Sequence, residues 1–313
     1  MIGVLLMAYG SPQGPDDLVR YYTHIRHGRA PSAEELDNLR MRYDAIGGFS
    51  PLTAMTQGQG KGLQEALDSS EPGRFRVFLG LKHSPPFIST AIRQMASDGV
   101  DHFIALVLAP HYSSMSVGEY FDEIGRSLEK GNRPMTWHGI HSWYHFPSFI
   151  DLVSERLRRA HKFFFTEAEQ RDLVTVFTAH SLPQRIYRMG DPYPAQLRET
   201  GELVAESLGL TRYRFSWQSA GRTREPWMRP DIVETIRALG AEGHKHVLVC
   251  PVGFVSDHLE ILYDLDIECR RAAQAAEVHM ERTSSFNDDS QFTRVLAEIV
   301  RKTAECGYGV TKE

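Results

Sequence analysis

Short apolar runs alternate along almost the whole chain with longer stretches in which apolar residues recur every three or four positions. The runs at 3–8 (GVLLMA), 74–81, 102–108 and 135–140 predict four buried strands in the first half. Those at 173–178, 213–217, 246–252 and 277–283 predict four more in the second. Helical periodicity covers 16–25, 32–46, 53–68, 86–97, 116–128, 146–163, 195–208, 231–240 and 288–304, and a further helix follows the 246–252 strand. Ser32 and Glu35 have the spacing of a capping box at the start of one of these helices. Such alternation predicts an α/β fold with parallel sheets covered on both faces. It divides into two similar halves, 1–142 and 143–287, and the last helix (288–304) is expected to pack back on the first half. Residues 12–51 are an excursion between the first strand and its crossover helix, a usual place for a substrate lid. Its Gly47-Gly48-Phe49-Ser50-Pro51 joint carries an exposed aromatic.

Several of the apolar runs end on a histidine or tyrosine: Tyr9, His83, His111, His180 and His258 lie at or just past predicted strand ends. In open α/β sheets that edge is where ligands sit, and two facing halves would bring such groups to a common cleft. The stretch 251–268 (PVGFVSDHLEILYDLDIE) adds carboxylates to them. Its strand breaks at Gly253 and continues into a helix carrying Glu260, Asp264 and Glu268, each four residues after the last. At about 100° per residue a step of four overshoots one turn by only about 40°, so the three share one broad face. Stacked like charges weaken a helix, and a solvated surface is the plain explanation; the position just after a strand end favours a cation site instead. A π-type widening of this helix would bring the three carboxylates closer to one line, whereas a regular α-helix over 258–270 would contradict that expectation.

Bulk composition narrows the function classes. The 313 residues are 42% hydrophobic and 24% charged, as in a soluble globular protein, and suffice for two domains. A net charge of -5 gives no electrostatic footprint for nucleic acid. Three scattered cysteines, Cys250, Cys269 and Cys306, suit a reducing cytoplasm and cannot supply four thiolates to an iron–sulfur or zinc site. Neither a signal-peptide pattern nor an apolar run of membrane-spanning length is evident, so a soluble, cytoplasmic protein without a membrane anchor is expected. No nucleophile elbow, phosphate loop, dinucleotide fingerprint or H-E-x-x-H motif occurs. What remains is a set of isolated histidines, the carboxylate ladder, tyrosines and a few arginines. A histidine opposite a carboxylate leaves coordination positions open, so it can hold a divalent metal briefly and pass it on.

Nine segments in order, MAYGSP (7–12), YYTHIRHGR (21–29), RYDAIGGFSPL (42–52), GLKHSPPFI (80–88), LAPHYSSMSVGEY (108–120), TAHSLP (178–183), GDPYP (190–194), SWQSAG (216–221) and PVGFVSDHLEILYDLDIEC (251–269), resemble the ferrochelatases. The likeness is greatest to the short, soluble bacterial branch that acts on coproporphyrin III. The resemblance implies a chelatase-like α/β fold: two Rossmann-like, doubly wound parallel-sheet domains facing a central cleft. It implies insertion of Fe(II) into a porphyrin, with His180 and Glu260 as the metal-binding and proton-accepting pair. Tyr9 would lie near the opposite face of the macrocycle. Arg26, Arg42, Tyr43, Ser50 and Tyr120 would hold the porphyrin and its propionates, with Lys82 and His83 at the wall. Asp264 and Glu268 would lead outward as a proton path or a second divalent-cation (Mg) site. His111 and His258 read as supporting or structural residues, and the loop arginines Arg222, Arg224 and Arg229 as solvated. The implied partners are the porphyrin, Fe(II) as substrate and, transiently, neighbouring haem-pathway enzymes. A monomer is expected, with no required cofactor and no iron–sulfur cluster. Alternatives are a chelatase for protoporphyrin IX or another metal such as cobalt, and a non-catalytic tetrapyrrole or haem carrier on the same fold.

Overall fold

The computed structural model describes residues 1–306 apart from Asn132 and Arg222. The chain runs through β1 (Ile2–Ala8), α1 (Leu18–Ile25), α2 (Ala33–Ala45), α3 (Leu52–Ser70), β2 (Phe75–Leu81), α4 (Ile88–Ser97), β3 (His102–Val107), α5 (Val117–Glu129) and β4 (Thr136–Ile140). It continues through α6 (Pro147–Phe164), α7 (Glu167–Gln170), β5 (Val174–His180), α8 (Arg185–Arg188), α9 (Tyr193–Leu208), β6 (Tyr213–Gln218), α10 (Ile232–Ala241) and β7 (His246–Cys250). A π-helix (Glu260–Cys269) passes directly into α11 (Arg270–Ala275), and β8 (His279–Arg282) and α12 (Ser290–Glu305) follow. Among the described residues no helix is long and apolar enough to cross a membrane.

Two compact units result. The first comprises Met1–Ala109, Ser114–Trp143 and the chain from Phe286; the second comprises Pro110–Ser113 and Tyr144–Ser285. Each holds one four-stranded, all-parallel sheet, ordered β2-β1-β3-β4 in the first and β6-β5-β7-β8 in the second. The two orders are the same pattern. In both, the direction of winding reverses between the two central strands, and that reversal is where an open α/β sheet leaves a crevice beyond its strand ends. For the second unit the crevice falls between β5 and β7.

Burial follows the apolar runs. Val4, Leu5, Leu6 and Met7 of β1 are fully buried, as are Phe103 to Leu106 of β3, because central parallel strands are covered on both faces. α12 packs on α3 in the first unit, burying Phe292, Leu296 and Val300. In the second unit Val174, Val176, Val247 and Val249 meet Ile236 of α10 and Ile261, Leu265 and Cys269 of the π-helix. These last three are spaced by four, one position after Glu260, Asp264 and Glu268. The sequence therefore carries two parallel ladders, and burying the apolar one orients the acidic one. A π-helix takes more residues per turn than an α-helix, so a step of four loses the overshoot that would fan both ladders out. The widening expected over this segment is present along all ten residues.

The capping box at Ser32 forms, with the Ser32 hydroxyl accepting from the Glu35 N–H and the Glu35 carboxylate accepting from the Ser32 N–H at 2.7 Å. Some boundaries differ from the sequence reading. β5 extends two residues beyond the apolar run, so His180 is its last residue, in register with Gln218, and not part of the following loop. β7 ends at Cys250, and Pro251 and Val252 already belong to the connection. α7 and α8 were not anticipated, because four residues are too few to display a helical period.

Candidate active site

His180 stands at the carboxyl end of β5, and Glu260 begins the π-helix that follows β7, so the two come from the strands flanking the crevice of the second unit. A close backbone approach brings them together. The Gly253 N–H donates to the Thr178 carbonyl at 3.1 Å, and a Cβ at Gly253 would lie 2.3 Å from the Cβ of Ala179. Only glycine lets the connection after β7 lie this close to β5. Gln218, fully buried at the end of β6, accepts from the Thr178 hydroxyl at 2.7 Å and reaches the Glu260 carbonyl at 3.4 Å. The Tyr193 hydroxyl donates to the His180 carbonyl at 3.0 Å.

The imidazole of His180 is oriented by its own backbone. Its Nδ1 lies against the Ser181 carbonyl, an acceptor, so Nδ1 carries the proton and Nε2 is the free basic nitrogen. That Nε2 faces the Glu260 carboxylate at 3.4 Å. The other carboxylate oxygen is 3.4 Å from Nε2 of His258, whose Nδ1 donates to the Ser256 carbonyl at 2.9 Å. Two imidazoles thus aim their Nε2 atoms at one carboxylate. A lone pair against an anion is repulsive, so a proton or a metal cation at the His180 nitrogen stabilises the arrangement. Burial works against a charged His180, but the Glu260 carboxylate outweighs it and raises the pKa above the ordinary 6.5. For Glu260, burial favours the neutral acid, and the two histidines override it and hold the group below the usual carboxylate range. Both side chains keep about a third of their surface exposed (33% and 32%), which leaves the pair reachable and screened by water.

Asp264 and Glu268 diverge in environment along the ladder. Asp264 is buried and accepts from the Ser219 hydroxyl, whereas Glu268 is exposed. Ser219 follows β6 with φ +60°, a left-handed conformation uncommon for a non-glycine residue, and the hydrogen bond to Asp264 offsets that cost. Arg282 spans the outer side of the π-helix, donating twice to Asp266 at 2.7 and 2.8 Å and lying 3.2 Å from Asp257.

The first unit gathers a second group at the ends of β1 and β2. Tyr9 is exposed, with its ring 4.4 Å from that of His83. His83 is buried, and its Nδ1 is 2.9 Å from Nδ1 of His24; burial and the neighbouring Lys82 lower its pKa to about 3, so it stays neutral. Lys82 pairs with Glu119 and lies 5.2 Å over the ring of Tyr120, which is buried on α5. Tyr43 and Ser50 are buried within the excursion and Arg42 is half-buried. Arg26 is ion-paired to Glu35, 5.6 Å over the Tyr22 ring, and its buried Nε has no hydrogen-bond partner among the described residues. His111 belongs to the second unit, buried and bonded through Nε2 to Thr200 at 2.9 Å. Arg224 is exposed, Arg229 is paired with Glu234, and Arg222 lies outside the described residues.

A family model described as Ferrochelatase matches residues 1–304. The chain belongs to the ferrochelatase family. It is 44% identical over 303 residues to a coproporphyrin III ferrochelatase of Geobacillus thermodenitrificans, covering 96% of this chain and 95% of that protein. It is 42% identical over 301 residues to a coproporphyrin III ferrochelatase of Listeria monocytogenes, covering 96% and 97%. A ferrochelatase of Herpetosiphon aurantiacus is 44% identical over 298 residues, covering 95% and 97%. In fold, the chain is similar to the cobalt-bound sirohydrochlorin chelatase SirB of Bacillus subtilis subspecies spizizenii, with TM-score 0.60, 11% identity and coverage of 99% and 98%.

Three residues of this ferrochelatase that shape the pair were not singled out in the sequence, Gly253 as a contact point, Gln218 and Tyr193, and neither was Ser219, which bonds to Asp264. Gly253 was visible only as the break after its strand, and Gln218 and Ser219 only as part of the SWQSAG segment. Tyr193 lies in GDPYP, and nothing local in that segment announces a bond to the His180 carbonyl.

Proposed function

We propose that this ferrochelatase inserts Fe(II) into coproporphyrin III, giving Fe-coproporphyrin for haem biosynthesis, with His180 and Glu260 handling the metal and the pyrrole protons. The substrate assignment is supported by the coproporphyrin III ferrochelatases among its relatives at 42–44% identity. The observation that carries the residue assignment is the free Nε2 of His180 facing the Glu260 carboxylate at 3.4 Å. Two ligands each about 2.0–2.2 Å from a shared ion stand roughly 3.3–3.6 Å apart in tetrahedral geometry, so the pair is spaced to hold one cation between them.

Metallation of the porphyrin core removes two pyrrole protons as one Fe(II) enters, leaving the core charge unchanged. The Nε2 of His180 accepts a proton, and Glu260 stabilises the imidazolium that forms. From Glu260 the ladder offers the buried Asp264 and then the exposed Glu268 as a proton route to water, or as ligands to a second divalent cation such as Mg²⁺. Tyr9, Lys82, His83 and Tyr120, with Arg26, Arg42, Tyr43 and Ser50 of the excursion, are the substrate-holding set of the first unit. Guanidinium forks match propionate carboxylates in shape and charge. Two buried thiols and one exposed thiol, all unpaired, fit work in a reducing cytoplasm.

The deciding experiment is an anaerobic assay with Fe(II), following coproporphyrin III and protoporphyrin IX by absorbance. Faster metallation of coproporphyrin III supports the substrate assignment, and a preference for protoporphyrin IX overturns it. His180→Ala and Glu260→Gln are each expected to lose at least about 100-fold in kcat while porphyrin binding persists. Ordinary turnover in either variant removes that residue from the mechanism.

A further inference from the structure

The sheet of the second unit has a second concentration of imidazole and carboxylate, at the opposite edge from His180. His246 and His279 are the first residues of β7 and β8, and they are partners in the parallel register. Their rings are 6.1 Å apart and nearly perpendicular. Glu169 of α7 completes the group, and one ligand atom from each of the three residues lies within 4.8 Å of the others. β5 rises about 3.3 Å per residue from this edge, so the group stands roughly 20 Å from His180.

Three features make the cluster more than a chance of surface composition. The Glu169 carboxylate is immobilised from behind: one oxygen accepts from the Thr166 N–H at 2.7 Å and from the Thr166 hydroxyl at 2.8 Å, in the capping box of α7. The remaining oxygen points at Nε2 of His246 at 3.3 Å, the edge length of a tetrahedral ligand set around a zinc-class ion. Phe165 packs against both imidazoles, with its ring centroid 6.1 Å from His246 and 5.0 Å from His279. His246 is half-buried and its Nδ1 is without a partner among the described residues, whereas His279 is 45% exposed. Glu281 also approaches Nε2 of His279, at 3.6 Å, but its carboxylate is held by two bonds from Arg270.

We propose that Glu169, His246 and His279 form a three-ligand site for a borderline divalent transition metal, Zn²⁺ being the simplest occupant, at the amino-terminal edge of the second sheet. Two imidazoles and one carboxylate are the donor set such ions prefer over Mg²⁺ or Ca²⁺, and the exposed side at His279 leaves a fourth position for water. The ion would tie α7 to the starts of β7 and β8, so its binding adds to the stability of this unit and leaves the chelatase chemistry untouched.

The test is equilibrium dialysis of the metal-free protein against Zn²⁺, with wild type, His279→Ala and Glu169→Gln compared. Gln retains the capping-box geometry of α7 while removing the charge. Wild type is expected to bind one equivalent more than either variant within the same concentration range. The lost equivalent should be weakened by more than about 100-fold, since changing a mere supporting partner of a ligand already costs 10–100-fold. Zn²⁺ should raise the Tm of wild type by more than that of the variants, and Fe(II) insertion by His279→Ala should match wild type. Should His279→Ala melt lower even without metal, Glu169→Gln carries the comparison. Equal stoichiometry and affinity in all three proteins would overturn the site, as would Zn²⁺ loss accompanied by equal loss of iron insertion.

Discussion

Gly253→Ala tests whether one backbone contact assembles the His180–Glu260 pair. The new Cβ would fall 2.3 Å from the Cβ and 2.8 Å from the Cα of Ala179. Ala179 lies in β5, in register with Trp217 of β6, and β7 pairs with β5 as far as Phe177, so the strand resists displacement. Restoring ordinary van der Waals contact requires the connection after β7 to retreat by roughly 1 Å. That movement breaks the Gly253 N–H bond to Thr178 and carries His258 and the start of the π-helix with it. A displacement of this size at reacting groups costs on the order of 100-fold in rate, and overpacking of this kind costs about 1–3 kcal/mol in stability. The assay is the anaerobic Fe(II)–coproporphyrin III initial rate, beside porphyrin titration and thermal melting. The expected result is kcat down about 100-fold, a lower Tm and a far smaller change in porphyrin affinity. Adding Ala179→Gly deletes the closest atom, and the double variant should regain part of kcat despite the roughly 0.5–1 kcal/mol that glycine costs inside a strand. Undiminished kcat in Gly253→Ala would refute the reasoning, and so would a double variant no faster than the single.

Further expectations concern the charges and the 12–51 excursion. His180 has a raised pKa, so its pairing with Glu260 contributes stability fully below the ordinary 6.5 and loses it as pH rises through the raised value. Glu260 is depressed, so its share is present above the ordinary 4.5 and disappears on acidification. The Tm difference between wild type and Glu260→Gln should therefore peak between these two pH values and shrink on both sides; a difference independent of pH would show that the pair is not ionised. Metal insertion should rise with pH as His180 loses its competing proton, and a flat profile in initial rates would remove His180 as the titrating ligand. Ser32→Ala removes the cap of α2 and should cost about 1 kcal/mol in chemical denaturation, with an unchanged midpoint contradicting the capping role. Glu35→Gln frees Arg26 for a propionate and should tighten porphyrin binding by at most about fivefold, the scale of an exposed ion pair; weaker binding measured by fluorescence quenching would show that Glu35 positions Arg26 instead.

What the sequence determined by itself is what local chemistry can encode. Central parallel strands are apolar on both faces, so β1, β3, β5 and β7 stood out as uninterrupted runs, and a capping box is complete within four residues. The π-helix was legible for a similar reason, because Glu260, Asp264 and Glu268 repeat at a step that an α-helix aligns poorly. His180 and Glu260 stood out as candidates too, through their places after strand ends and the nine segments that surround them, and the structure brings their side chains to 3.4 Å. Tertiary structure decided what depends on distant backbones meeting. The free nitrogen of His180 is selected by the Ser181 carbonyl only once β5 extends to its last residue, and its distance to Glu260 is set by Gly253 against Ala179. The hydrogen bond from Ser219 to the buried Asp264 and the inclusion of Pro110–Ser113 in the second unit likewise join segments far apart in the chain. So is the grouping of Glu169, His246 and His279: each looks like an ordinary surface residue in the sequence, and only the parallel register of β7 and β8 beside α7 places their donor atoms within reach of one ion.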